Sequence, residues 1–77
     1  MKPFRQEISA AIFSIARKKN ILPDDDLIES GILNSLTIME LAVALEKKLK
    51  VEFSFLEVSK ENFRSIQSME TLLSKKS

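Results

Sequence analysis

The 77 residues carry 12 Lys and Arg against 11 Asp and Glu, so a net charge of +1 excludes the strong polyelectrolyte excess of a nucleic-acid or anionic-membrane binder. With no cysteine and no histidine, the chain has no disulfide or thiolate metal site, and it lacks the commonest general base and metal ligand. Hydrophobic residues make up 44%, which argues against disorder and predicts one small core over residues 1–77; an independent active site is not expected.

The opening stretch, MKPFRQEISAAIFSIARKKN, contains Arg5 and Glu7 and no continuous apolar run. Neither a signal peptide nor a membrane span is predicted, and the expected compartment is the cytoplasm. Phe4, Ile8, Ile12 and Ile15 fall on one helical face, so a helix is predicted over 4–18. Arg17, Lys18 and Lys19 suit its C-terminal end, and Asn20 and Pro23 should stop it. In DDDLIESG, Asp26 and Glu29 have the spacing of a capping box and Gly31 that of a stop. One turn inside a long ordered loop is expected there, anchored by Leu27, Ile28, Ile32 and Leu33.

From Leu36 to about Lys50 the pattern is helical again, with Ile38, Leu41, Ala42, Leu45 and Leu49 as the core stripe. VEFSFLEV alternates Val51, Phe53 and Phe55, but a lone strand has no partner. It is expected as an extended loop whose aromatics plug the core. A short helix is predicted from Ser59 to about Arg64. A last helix follows, capped by Ser65 or Ser68 and carrying Ile66, Met69 and Leu73. The expected fold is all-α: a small bundle of three main helices plus one short helix, with a long ordered loop between the first and second. Its core should rest on Phe4, Ile8, Ile12, Ile15, Leu41, Leu45, Leu49, Phe63 and Ile66.

Ser35 stands at the mouth of the central helix and has two readings. One is a helix N-cap, although Asn34 is an equally good cap. The other is a hydroxyl presented at a helix N-terminus, where free N–H groups and the positive dipole end tolerate a phosphate. Besides the core stripe, Leu36, Met39 and Val43 form a second apolar row at i, i+3 and i+7. A helix packed by one face needs only one stripe, so this row is either a partner-docking surface or part of a wide buried arc.

DDDLIESGILNSLTIMELAVALEKKL resembles the acyl carrier protein and peptidyl carrier protein family, whose motif is an acidic loop, a glycine, two residues, Asp-Ser-Leu and an amphipathic helix. VSKENFRSIQSMETLL is similar to the family's closing segment, and the likeness in element order covers nearly the whole chain. The resemblance implies an acyl-carrier-like bundle and places the family's chemistry on Ser35. A phosphopantetheinyl transferase would attach 4′-phosphopantetheine from coenzyme A there, and an acyl or aminoacyl intermediate would be held as a thioester. It further implies that Leu36, Met39 and Val43, with the acids Glu40 and Glu46, meet loading enzymes and downstream synthases or transferases. No catalytic residue, metal ligand or nucleic-acid partner is implied, and a monomer is expected.

Two departures stand out. Asn34 takes the place of the usual aspartate, keeping the capping oxygen and losing the charge. Thr37, Lys47 and Lys48 occupy frequently acidic positions. Docking led by apolar contact is therefore expected, along with a specialised lipid, polyketide or related pathway in preference to general fatty-acid synthesis. The alternative is a helical interaction module in which Ser35 only caps its helix. A nucleic-acid-binding bundle is disfavoured, because Lys47, Lys48 and Lys50 gather at one end of the helix and form no basic face.

Overall fold

In the computed structural model, which describes residues 4–76, three α-helices surround one core: α1 (Arg5–Ala16), α2 (Ser35–Leu49) and α3 (Ile66–Lys76). A single turn of 3-10 helix lies at Phe55–Glu57, and there is no strand among the described residues. The helix α1 packs against both α2 and α3. It buries Ile8, Ala11 and Ile12, whereas Phe4 and Ile15, expected inside, are half-buried and pack on the rim. The predicted end at Lys18 is corrected to Ala16. Arg17 turns left-handed (φ 58°) and its N–H bonds the Phe13 carbonyl at 2.9 Å. That conformation costs a non-glycine residue roughly 1–2 kcal/mol. The guanidinium of Arg17 and the ammonium of Lys19 lie 5.8 and 5.1 Å from the Phe13 ring centroid, contacts that offset part of this cost. The three cations thus follow the helix and do not occupy its last turn.

The connection from α1 to α2 is long but tied down. Asp26 Oδ1 accepts the N–H groups of Ile28 and Glu29, which is one half of the predicted capping box, and Gly31 turns the chain at φ 81°. A Cβ on Gly31 would meet no atom within 4 Å, so glycine serves the backbone angle and not a close approach. Leu27 and Leu33 are fully buried, and Ile28 and Ile32 pack at the edge. Three bonds fasten this loop to the start of α3: Leu27 N–H to the Arg64 carbonyl (2.7 Å), Gln67 N–H to the Pro23 carbonyl (2.9 Å), and an Arg64–Asp26 ion pair (3.0 Å).

Residues 51–65 depart most from expectation. The predicted helix from Ser59 to Arg64 is only a turn, closed by one bond from Phe63 N–H to the Ser59 carbonyl. It does not propagate: Ser65 N–H, which a continuing helix would direct to the Glu61 carbonyl, donates to Ser68 Oγ instead. The short helical element lies earlier, at Phe55–Glu57. Its tight winding ends the period-two alternation, so Phe53 packs inward, edge-on to Phe63 at 5.7 Å, while Phe55 points out and is 91% exposed. Of the three expected plugs, Val51 and Phe53 pack against the core and Phe55 does not.

Helix α3 opens on a reciprocal pair: Ser65 N–H donates to Ser68 Oγ and Ser68 N–H donates to Ser65 Oγ, both at 3.0 Å. Both candidate caps are therefore used. The helix buries Ile66, Met69, Leu72 and Leu73, and also Glu70, a residue that apolar periodicity passes over. Arg5 meets Glu70 with two N–H···O bonds of 2.9 and 3.0 Å, so the buried carboxylate has its counter-ion and α1 is clamped to α3.

In α2, Ile38, Leu41, Ala42 and Leu45 are buried as predicted, and Leu49 is half-buried. Since Leu45 is 0% exposed, Leu45→Ala should cost about 2–5 kcal/mol, measured by urea titration. A loss under about 0.5 kcal/mol is the range of a surface substitution and would contradict this burial.

Candidate functional site

The chain reaches α2 in extended conformation at Asn34 (φ −135°, ψ −174°). The Asn34 side-chain oxygen accepts the N–H groups of Leu36 (2.9 Å) and Thr37 (3.0 Å), and the Thr37 hydroxyl accepts Asn34 N–H at 2.7 Å. Together they form a complete capping box. The cap is therefore Asn34, and the reading of Ser35 as the N-cap is corrected: Ser35 is the first helical residue. It is exposed, and its hydroxyl joins none of the hydrogen bonds that close the helix.

A groove opens beside it. Met39, Ala42 and Val43 of α2 form one wall, and Phe53, Phe55 and Val58 form the other, enclosing about 340 Å³ with Ser35 on its lining. The second wall is held in three ways. Phe53 N–H donates to Glu46 Oε2 at 2.9 Å, Lys76 pairs with Glu57 at 2.8 Å, and the Lys76 ammonium sits 5.5 Å from the Phe53 ring centroid. The sequence marked Phe53 and Phe55 as apolar but gave no sign that they face α2 across a gap. Lys60, also on the lining, carried no signal at all.

The second apolar row of α2 is exposed: Leu36 by 66%, Met39 by 61% and Val43 by 49%. It is not a widened core stripe. Of the two acids beside it, Glu40 is exposed, whereas Glu46 is half-buried with one oxygen committed to Phe53. Among the described residues no group of three or more acids is placed to hold a metal ion. Both oxygens of Asp26 are engaged, one by backbone N–H groups and one by Arg64. The Glu29 N–H, and secondarily Arg64, hold the Asp26 carboxyl below its ordinary value. Lys76 and the Ser54 N–H do the same for Glu57. No described helix is long and apolar enough to cross a membrane.

A family model described as the phosphopantetheine attachment site matches residues 6–73. The chain belongs to this family of carrier proteins. The match runs from the second residue of α1 to the buried Leu73 of α3, so it includes the cap, the groove and the loop that leads to them. Comparison with individually curated proteins gives no match. Members of the family carry 4′-phosphopantetheine as a covalent group. The residues present fit such a group: a 15-residue helix directs the positive end of its dipole at an exposed hydroxyl, and the groove beside that hydroxyl is walled by apolar side chains.

The division of labour at the helix start is testable. Asn34→Ala should lower stability by about 1 kcal/mol in urea, whereas Ser35→Ala should change it by less than about 0.5 kcal/mol. Equal losses would mean that Ser35 shares the cap. A second test uses acid. Asp26 and Glu57 are depressed in the folded state, so each contributes stability that is fully present above its ordinary value (3.8 and 4.5) and is lost as pH falls through the lower folded value. The denaturation midpoint should therefore drop between pH 5 and about pH 3. Asp26→Asn should show a smaller drop over the same range; an undiminished drop would contradict the role given to Asp26.

Proposed function

We propose that this chain is a carrier protein that holds an acyl intermediate, and that Ser35 is its attachment residue. The observation that carries this reading is the exposed Ser35 hydroxyl, left free by the Asn34–Thr37 cap at the start of α2 and opening onto an apolar groove. In the loading step Ser35 Oγ forms a phosphodiester bond to the phosphorus of the phosphopantetheine moiety of coenzyme A. The pyrophosphate P–O bond breaks, adenosine 3′,5′-bisphosphate leaves, and the serine proton passes to a base of a phosphopantetheinyl transferase. When bound, 4′-phosphopantetheine supplies a thiol that carries an acyl or aminoacyl group as a thioester. What Ser35 contributes is position: a hydroxyl with no competing bond, against N–H dipoles that tolerate the phosphodiester charge.

The chain itself is a substrate and not a catalyst in this reading. It holds no histidine or cysteine, and the Asp26 and Glu57 carboxylates are committed to structural contacts. The partners are the transferase, a loading enzyme and downstream synthases or transferases, met through Leu36, Met39 and Val43 with Glu40 and Glu46 at the border. The apolar groove favours an acyl chain over a charged aminoacyl group, in keeping with a specialised lipid or polyketide pathway in the cytoplasm. We take the chain to act as a monomeric single domain. In the alternative, an interaction module, Ser35 would act as a cap only, a role that the Asn34 oxygen already fills.

Incubation with coenzyme A and a broad-specificity phosphopantetheinyl transferase should add the mass of one phosphopantetheine to the intact protein. Ser35→Ala should gain nothing. Modification of the alanine variant, or of Ser30, would overturn the assignment.

A further inference from the structure

We propose that Lys76, in the last turn of α3, is a positioning residue that sets how well the groove shields an acyl chain held beside Ser35. The proposal rests on the carrier reading and adds the control of its groove. The outer wall is an arch. Phe53 and Val58 pack against the core at its two ends, while Phe55 and Leu56 between them are 91% and 84% exposed. The 3-10 turn at Phe55–Glu57 buries none of its residues, so it has little packing of its own to fix where it stands. Residues of the arch also line two separate spaces. Phe53, Ser54, Phe55 and Val58 face the apolar groove of about 340 Å³. Glu57 faces a second cavity of about 410 Å³, shared with Lys50, Val51, Glu52, Lys75 and Lys76. With room on both faces, the position of the arch falls to its polar contacts.

One carboxylate oxygen joins those contacts. Glu57 Oε1 accepts the Ser54 N–H at 2.8 Å, which closes the turn, and the Lys76 ammonium lies 2.8 Å from the same oxygen. That ammonium also lies 5.5 Å from the Phe53 ring centroid, so one cation ties both the turn and its inner anchor to α3. Glu46 and Asn62 hold backbone groups of the arch, the Phe53 N–H and the Glu57 carbonyl, and neither reaches the Glu57 side chain. Lys76 and Glu57 are both half-buried, and a sheltered pair is screened less than an exposed one. Without Lys76 the turn keeps its own cap but loses its tie to α3, and the groove opens to water.

The full chain is loaded from acetyl- or octanoyl-coenzyme A by the broad-specificity transferase, and each thioester is cleaved with hydroxylamine. The hydroxylamine nitrogen bonds to the carbonyl carbon, the C–S bond breaks, and the thiol stays on the protein as the hydroxamate leaves. Intact mass follows the loss. Octanoyl should be cleaved several-fold more slowly than acetyl, and Lys76→Met or Glu57→Gln should remove most of that difference. Lys76→Arg should restore it. The double variant K76M/E57Q should do no more than either change alone, because both break one contact. In the unloaded chain, amide exchange at Ser54 should quicken several-fold in Lys76→Met while the buried Leu45 keeps its protection. Equal cleavage of acetyl and octanoyl, an octanoyl rate unmoved by Lys76→Met, no restoration by Lys76→Arg, additive effects, unchanged exchange at Ser54, or a matching loss of protection at Leu45 would each overturn the proposal. Mass gain on loading with no effect of Lys76 refutes the positioning role alone, whereas absence of mass gain removes the carrier reading and the proposal with it.

Discussion

The side-chain oxygen of Asn34 closes α2, and the site depends on that closure. A helix start leaves backbone N–H groups without partners, and some group has to accept them. Here one oxygen accepts those of Leu36 and Thr37, and the Thr37 hydroxyl accepts the Asn34 N–H in return. A Glu at this third helical position would perform the return bond in the commoner capping box; Thr37 performs it without charge. Ser35 lies between the two capping residues and is needed by neither. Were it the cap, its oxygen would be turned toward the helix N–H groups and partly engaged.

The groove depends on a second set of constraints, farther along the chain. Its outer wall, residues 53–58, has no long regular element of its own and is held from two sides. Glu46 reaches from α2 to the Phe53 N–H, and Lys76 reaches from the end of α3 to Glu57 and the Phe53 ring. The C-terminal turn of α3 thus sets the position of a wall that faces α2. The loop before α2 is pinned in turn by Asp26, Arg64 and the Pro23 carbonyl. The outer wall is therefore fastened to two helices, α2 and α3, on neither of which it sits.

Much of this was legible in the sequence, for reasons that particular residues make plain. Ile8, Ile12, Leu41 and Leu45 repeat at helical spacing, and burial of such a stripe follows whatever the connectivity. Gly31 and Asp26 marked a turn through local chemistry, and Leu36, Met39 and Val43 were one stripe too many for a singly packed helix. The family motif pointed to Ser35, but position alone left it open as a cap. Which of Asn34 and Ser35 would do the capping depends on whose oxygen faces two N–H groups, and that is settled only in three dimensions. The helix expected over 59–64 stops after one turn because Ser65 N–H goes to Ser68 Oγ, a cap of the next helix, and not back to Glu61. Glu70 was passed over because its counter-ion, Arg5, is 65 positions away. Phe55 was assigned to the core by an alternation that a single 3-10 turn interrupts.

The most direct test of this account is amide hydrogen exchange at Leu36 and Thr37, followed by NMR before and after phosphopantetheinylation. If Asn34 closes the helix and Ser35 is independent of it, both amides should keep the same protection in the modified protein, with shift changes centred on Ser35 and the residues lining the groove. Loss of protection at Leu36 and Thr37 on modification would show that the Ser35 hydroxyl had been part of the cap, and would contradict the separation of the two roles.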